Sequence, residues 1–165
     1  MNRDHGFTLV ELLVTITIMV ILITLSVVNL RSSQATARDD QRTTDIQTIA
    51  QNLETYYRSG SETGGAGEYP PTDALASESA IKSTLRDIDA AVLRAPNIPD
   101  TDPVSLTIAS TNNAQVPTVS TYIYQPLQSD GQLCGSMGDE CRKFYLYYML
   151  ESEPGVVKKV TSKNQ

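Results

Sequence analysis

Glu11 is the only charged residue between Phe7 and Leu30, a run of 24 residues reading FTLVELLVTITIMVILITLSVVNL. A carboxylate placed that deep in a membrane costs a few kcal/mol, and such residues usually have a partner and a task. Lys and Arg are absent between Arg3 and Arg31, and nothing nearby in the chain is expected to pair with Glu11. A cut after Gly6 would give Phe7 a free α-amine at the head of the apolar run. Glu11 of a neighbouring subunit could then meet that amine, and the two burial costs would be offset together in a staggered assembly. Phe7 and Glu11 also lie one helical turn apart, which leaves an internal pairing open. A third reading is a Glu11 that snorkels to the membrane surface.

The remaining reactive residues are few. Cys134 and Cys141 are the only cysteines and His5 is the only histidine. Two cysteines alone do not make a four-ligand zinc site, so a disulfide outside the cytoplasm is expected, with free thiols as the alternative. So short a loop would constrain little chain, about 2 kcal/mol by loop-closure arguments. Asp130, Asp139 and Glu140 flank that loop, but their spacing fits no EF-hand, and no metal site is assigned. There is no nucleophile beside a base and no phosphate loop, so the residues do not read as those of an enzyme. No cofactor is expected. The net charge of -6 argues against nucleic acid as the main partner.

The element that must position Glu11 is a helix. Twenty-four residues span ~36 Å at ~1.5 Å each, enough to cross a bilayer with some tilt. An ordinary secretory signal fits less well, although Ala35-Thr36-Ala37 offers a cleavage site, because secretory apolar cores are about 7–15 residues long. A plain anchor would leave Glu11 without a role. No Gly or Pro interrupts Phe7 to Ser59. Beyond Leu30 the chain turns polar yet keeps spacings of three and four through Ala35, Arg38, Arg42, Ile46, Ile49, Ala50, Leu53, Tyr56 and Tyr57. One helix to about Tyr57 is expected, with two helices broken near Arg31 as the alternative. The stripe from Ile46 to Tyr57 should face a globular part. The run Arg38-Asp39-Asp40-Gln41-Arg42 reads as a solvated face.

Ser59 to Gly67 is a Gly/Ser-rich connector that stops the helix. Pro70-Pro71 and a cap at Thr72 or Asp73 start a second helix, expected to run to about Arg94 with Leu75, Ile81, Leu85, Ile88, Val92 and Leu93 inward. Strands are expected at 104–109, 118–125, 143–150 and 156–160, with a turn at Glu153-Pro154-Gly155. The fold class is α+β: a long amino-terminal helix packed on a small antiparallel sheet. Tyr122, Tyr124, Tyr145, Tyr147 and Tyr148 are expected to be mostly cross-strand packing.

The stretch Gly6-Phe7-Thr8-Leu9-Val10-Glu11, with its short hydrophilic leader and long apolar run, resembles the cleavage and methylation motif of type IV prepilins and pseudopilins. Family members share the α+β layout. The resemblance implies that a prepilin peptidase cuts between Gly6 and Phe7 and methylates the new Phe7 amine. It implies that Glu11 guides docking of each subunit. It divides the chain into a leader (1–6), a membrane and assembly helix (7–30), its amphipathic continuation (31–59) and a pilin head (60–165). It places the amino end in the cytoplasm, although Arg31 and Arg38 follow the apolar run and the positive-inside rule alone would not. The implied partners are other copies of itself, other pilins, the peptidase, an inner-membrane assembly platform and lipid. The head would be extracytoplasmic and, after assembly, part of an extracellular filament. The alternatives are a minor pilin or pseudopilin of a secretion or competence system, and an anchored adhesin that does not polymerise.

Overall fold

The computed structural model describes residues 8–60, 66–86 and 88–164. Gly6 and Phe7, His5, and residues 61–65 of the connector lie outside the described residues. Two compact units are present, Met1–Ala37 and Arg38–Gln165. Helix α1, Leu9–Ser59, contributes to both and runs through Arg31.

In the first unit, α1 exposes its large apolar side chains, from Leu9 at 79% to Leu30 at 59%. Its hydroxyls turn back on the helix. Thr15, Thr17, Thr24 and Ser26 donate to the carbonyls of Leu12, Leu13, Val20 and Leu22 at 2.8–2.9 Å. That leaves an outer surface of hydrocarbon with its polar groups satisfied internally, as a lipid-facing helix requires.

In the second unit the α1 stripe is the core. Ile46, Ile49 and Leu53 are fully buried and Tyr56 nearly so. Each such aliphatic side chain is worth roughly 1.5–3 kcal/mol of burial. They pack with Leu93, Tyr122, Tyr124, Phe144 and Leu146. The sheet has the order β1 (Leu106–Ile108), β2 (Tyr122–Leu127), β3 (Lys143–Met149), β4 (Val157–Thr161). In register, Tyr124, Leu146 and Val160 lie across from one another, and so do Ile123, Tyr147 and Lys159. Period-two alternation puts the first set on the core face and the second on the outer face.

The sheet is mixed rather than wholly antiparallel, because β1 pairs parallel to β2. The reason is the connection. A parallel pair needs a crossover of about a dozen residues, and residues 109–121 supply it. That crossover is tied to the outer face through Gln125, whose amide donates to the carbonyls of Thr111 and Asn113 at 2.8 and 2.7 Å.

The single helix expected over 72–94 is instead three short pieces: 3-10 turns at Asp73–Leu75 and Ala90–Leu93 around α2, Glu78–Thr84. Local side-chain bonds decide this. Thr72 does not cap; its hydroxyl donates to the Gly135 carbonyl at 2.9 Å. Ser77 caps α2 by accepting from the Ala80 amide, and Asp89 restarts the chain by accepting from Ala91. Such residues offer the backbone an alternative to a continuous helix. The apolar positions still point inward: Leu75, Ile81, Leu85, Ile88 and Leu93 are buried.

Candidate functional site

At the start of α1, Thr8 and Glu11 bond reciprocally. The Thr8 amide and hydroxyl donate to Glu11 Oε2 at 2.9 and 2.8 Å, and the Glu11 amide donates to the Thr8 hydroxyl at 3.2 Å. This is a capping box, and it satisfies two of the helix's orphan amides. It overturns the expectation that nothing nearby pairs with Glu11. The pattern Thr-x-x-Glu stood in the sequence. Glu11 is therefore not without a partner in the single chain: Thr8 holds its Oε2.

In the second unit, three buried carboxylates project from α1, and each fastens a different part of the fold. Asp39 accepts from the Glu151 and Ser152 amides at 2.8 and 2.9 Å, where β3 turns toward β4. It also accepts from Arg42 at 2.9 Å. Arg42 is 2% exposed; its other donors go to Glu151 at 2.7 Å and to the Val119 carbonyl at 2.7 Å. Arg38 completes the cluster with a bidentate grip on Glu151 at 2.8 and 2.5 Å. The solvated-face reading of 38–42 is thus wrong for Asp39 and Arg42, which are buried.

The electrostatics follow from this geometry. The hydrogen bond from Arg38, with help from Arg42, pulls the Glu151 carboxyl down to about 2. Burial works to raise Asp39, but the Glu151 and Ser152 donors and Arg42 outweigh it and hold it below the ordinary value. Asp45 is different. Among the described residues, its donor is the Tyr122 hydroxyl, to Oδ2 at 3.1 Å. Burial dominates and pushes its carboxyl up to about 6, with Tyr122 and Arg42 opposing. Glu54 is the third carboxylate, accepting from the Tyr69 hydroxyl at 3.0 Å, the Lys163 amide at 2.8 Å and the Asn164 amide group at 2.8 Å. Burial raises Tyr69 to about 12, keeping it a donor at neutral pH.

Cys134 and Cys141 form a disulfide, and both are fully buried. The loop between them is the platform for residues 67–73. The Tyr69 and Thr72 amides donate to the carbonyls of Cys141 and Cys134 at 2.9 and 3.0 Å. Asp73 accepts from the Met137 amide at 3.3 Å. The acids considered for calcium are used otherwise. Asp139 accepts from the Gly135 and Ser136 amides, Asp130 from Gln132, and Glu140 pairs with Arg142. Of the five tyrosines expected to pack across strands, Tyr122, Tyr124 and Tyr147 are buried.

Asp45 and Glu54 are not marked by the sequence patterns, and Asp39 stands there only in the run expected to be solvated. The available signal was their spacing: they fall on or beside the same three-and-four stripe as Arg42, Ile46, Ile49 and Leu53. Glu11 and the disulfide belong to different compact units of the structure.

No curated protein and no solved structure matches the chain. Residues 1–27 match the family described as the prokaryotic N-terminal methylation motif, so the amino terminus carries the type IV prepilin-like signal.

Proposed function

We propose that the chain is a structural subunit of a type IV pilus or a related filament. A prepilin peptidase cuts between Gly6 and Phe7 and methylates the Phe7 amine, and the subunits polymerise through the amino-terminal helix. The observation that carries this reading is the methylation motif over residues 1–27, joined to a helix whose first unit exposes hydrocarbon on its surface. In this reading Glu11 passes from its Thr8 cap to the Phe7 amine of a neighbour. The functional division is leader 1–6, membrane and assembly helix 7–30, amphipathic continuation 31–59 and head 60–165. The head stands outside the cytoplasm, and the assembly platform, other pilins and lipid are the partners before and during assembly.

A membrane-anchored adhesin would carry the same signal and would not polymerise. Intact mass and amino-terminal sequencing of protein from membranes and from sheared filaments separate the two. The expected result is a chain starting at methylated Phe7 and present in the sheared fraction. A processed chain confined to membranes would favour the anchored reading. A chain starting after Ala37, or one still bearing Met1 to Gly6 in cells with active peptidase, would overturn both.

A further inference from the structure

Charge is unevenly distributed across the head. Between Asp73 and Asp102 six acidic residues stand against three basic ones, whereas from Arg142 onward five basic residues stand against two acidic ones. The fold sends these segments to opposite edges of one sheet. The acidic segment adjoins β1, since the Ser105 amide donates to the Leu93 carbonyl and the Ser105 hydroxyl accepts from the Ala95 amide. The basic segment holds β4, the other edge strand. Two strands lie between, so the edges are ~14 Å apart at ~4.8 Å per strand.

Internal ion pairs do not use up these charges. Asp89, Asp100 and Asp102 are exposed and make no ion pair among the described residues. The same holds for Arg58, Lys159 and Lys163 at the β4 edge. Lys159 lies on the outer face, over the Tyr145 ring at 4.2 Å. Arg58 and Lys163 lie on the helix side, lining one groove between α1 and β4. Both faces of the basic edge are therefore cationic.

We propose that the β4 edge of one head docks against the β1-side acidic segment of a second copy of this chain. Arg58, Lys159 and Lys163 then face Asp89, Asp100 and Asp102. The contact is heterologous, because the two patches differ and lie on opposite edges. A contact of that kind repeats from copy to copy and gives a ring or an open helix rather than a closed twofold dimer. The same charges reject the wrong registers, since like edges repel. The chain's net charge of -6 makes unspecific head-to-head approach unfavourable, so the cationic edge selects the docking site. This inference rests on the filament reading for its setting, and it supplies the sideways contact that the amino-terminal helix does not.

The test uses the full chain in cells that make the filament. One variant carries Lys159→Glu and Lys163→Glu, a second Asp100→Lys and Asp102→Lys, and a third all four. The expected result is a roughly tenfold loss of sheared filament for each pair of reversals, about 1.4 kcal/mol, and recovery to within about threefold when all four are combined. Processing at Phe7 and the thermal midpoint of the head should be unchanged throughout. Pairs of reversals that leave the yield at the wild-type level, or a combined variant no better than either parent, overturn the docking. As a second measurement, Lys163→Cys and Asp102→Cys chains are exposed in membranes to a short bismaleimide. The mixture should cross-link and neither chain alone should; cross-linking of one chain with itself overturns the heterologous contact. If the wild-type chain is processed but yields no filament, the filament reading fails by itself, and the cross-link still decides the docking.

Discussion

Replacing Asp45 by Asn removes a buried carboxylate that the fold holds at a raised pKa. Asp45 is 6% exposed and, among the described residues, accepts from the Tyr122 hydroxyl. Its carboxyl rises from 3.8 to about 6, burial being the main cause. A folded-state pKa above the unfolded one means that the fold prefers the protonated form. The stability from that preference is complete below about 3.8 and is lost as pH rises through about 6. Above that, the head carries an ionised buried group. Each tenfold change in proton affinity is worth about 1.4 kcal/mol, so the ceiling is about 3 kcal/mol. Asn keeps an acceptor for Tyr122 but forfeits attraction to Arg42 and brings an amide group needing partners, which lowers the net effect. Urea unfolding of the processed full chain in detergent micelles, followed by tyrosine near-ultraviolet dichroism, reads the head. The decisive quantity is the difference between the effects of Asp45→Asn at pH 7.5 and at pH 4.5, because packing changes cancel in it. The variant should gain about 1.5–2 kcal/mol on the wild type between those two pH values. A difference flat within ~0.5 kcal/mol would refute the assignment of a costly buried charge.

Thr8→Ala should destabilise the start of α1 by about 1 kcal/mol and speed hydrogen exchange of the amides of Leu9 to Leu12 about fivefold, whereas Glu11→Gln should leave processing intact and abolish sheared filament. Glu151→Gln should cost the head about 3 kcal/mol at pH 7, because it leaves Arg42 buried with less counter-charge. That loss should shrink as pH falls from about 4.5 toward 2, where the wild-type carboxyl itself protonates; unfolding midpoints across that range check it. Replacing Cys134 and Cys141 by Ser should lower stability by about 2.5 kcal/mol, and limited proteolysis should find new cleavage at residues 66–73, the segment that the disulfide loop supports.

Much of the fold was legible because it depends on periodicity. The spacing of Ile46, Ile49, Leu53 and Tyr56 marked one face of a helix, and those residues form the core. The β-branched and tyrosine-rich stretches became strands, with edges shifted by a few residues. Three features escaped. The parallel β1–β2 pairing depends on how residues 109–121 cross the sheet, which no local pattern encodes. The expected helix from Thr72 to Arg94 failed because Ser77 and Asp89 bond the local backbone and Thr72 bonds Gly135, far off in sequence. The clamps were hidden for another reason. Charged residues are usually solvated, and Asp39, Arg42 and Glu54 become buried only because partners over a hundred residues away reach them. For the candidate site, the motif around Gly6, Phe7 and Glu11 was plain, while the Thr8 cap was overlooked although Thr-x-x-Glu is a local signal.

The placement of Asp39, Asp45 and Glu54 along α1 has a consequence for the register of the head. An apolar stripe on a helix could meet a sheet equally well after sliding by one turn, since Ile and Leu pack without directional demands. The carboxylates remove that freedom. They sit ~9 and ~13.5 Å apart along the axis, and each accepts from a different element: the turn after β3, the β2 tyrosine, and the segment after β4 with Tyr69. A slide of one turn, ~5.4 Å, would strip Asp39 of its Glu151 and Ser152 donors, leaving only Arg42, and would take Asp45 and Glu54 away from theirs, at ~1–3 kcal/mol for each buried carboxylate. In the proposed filament, that fixed pose would let the head present the same surface in every copy. Replacing Asp39 and Glu54 together by Leu should therefore keep the head compact while loosening its register. The expected readout is retained far-ultraviolet dichroism with a weakened, broadened tyrosine signal; a sharp, native-like near-ultraviolet spectrum with unchanged amide exchange in β4 would show that apolar packing alone sets the register.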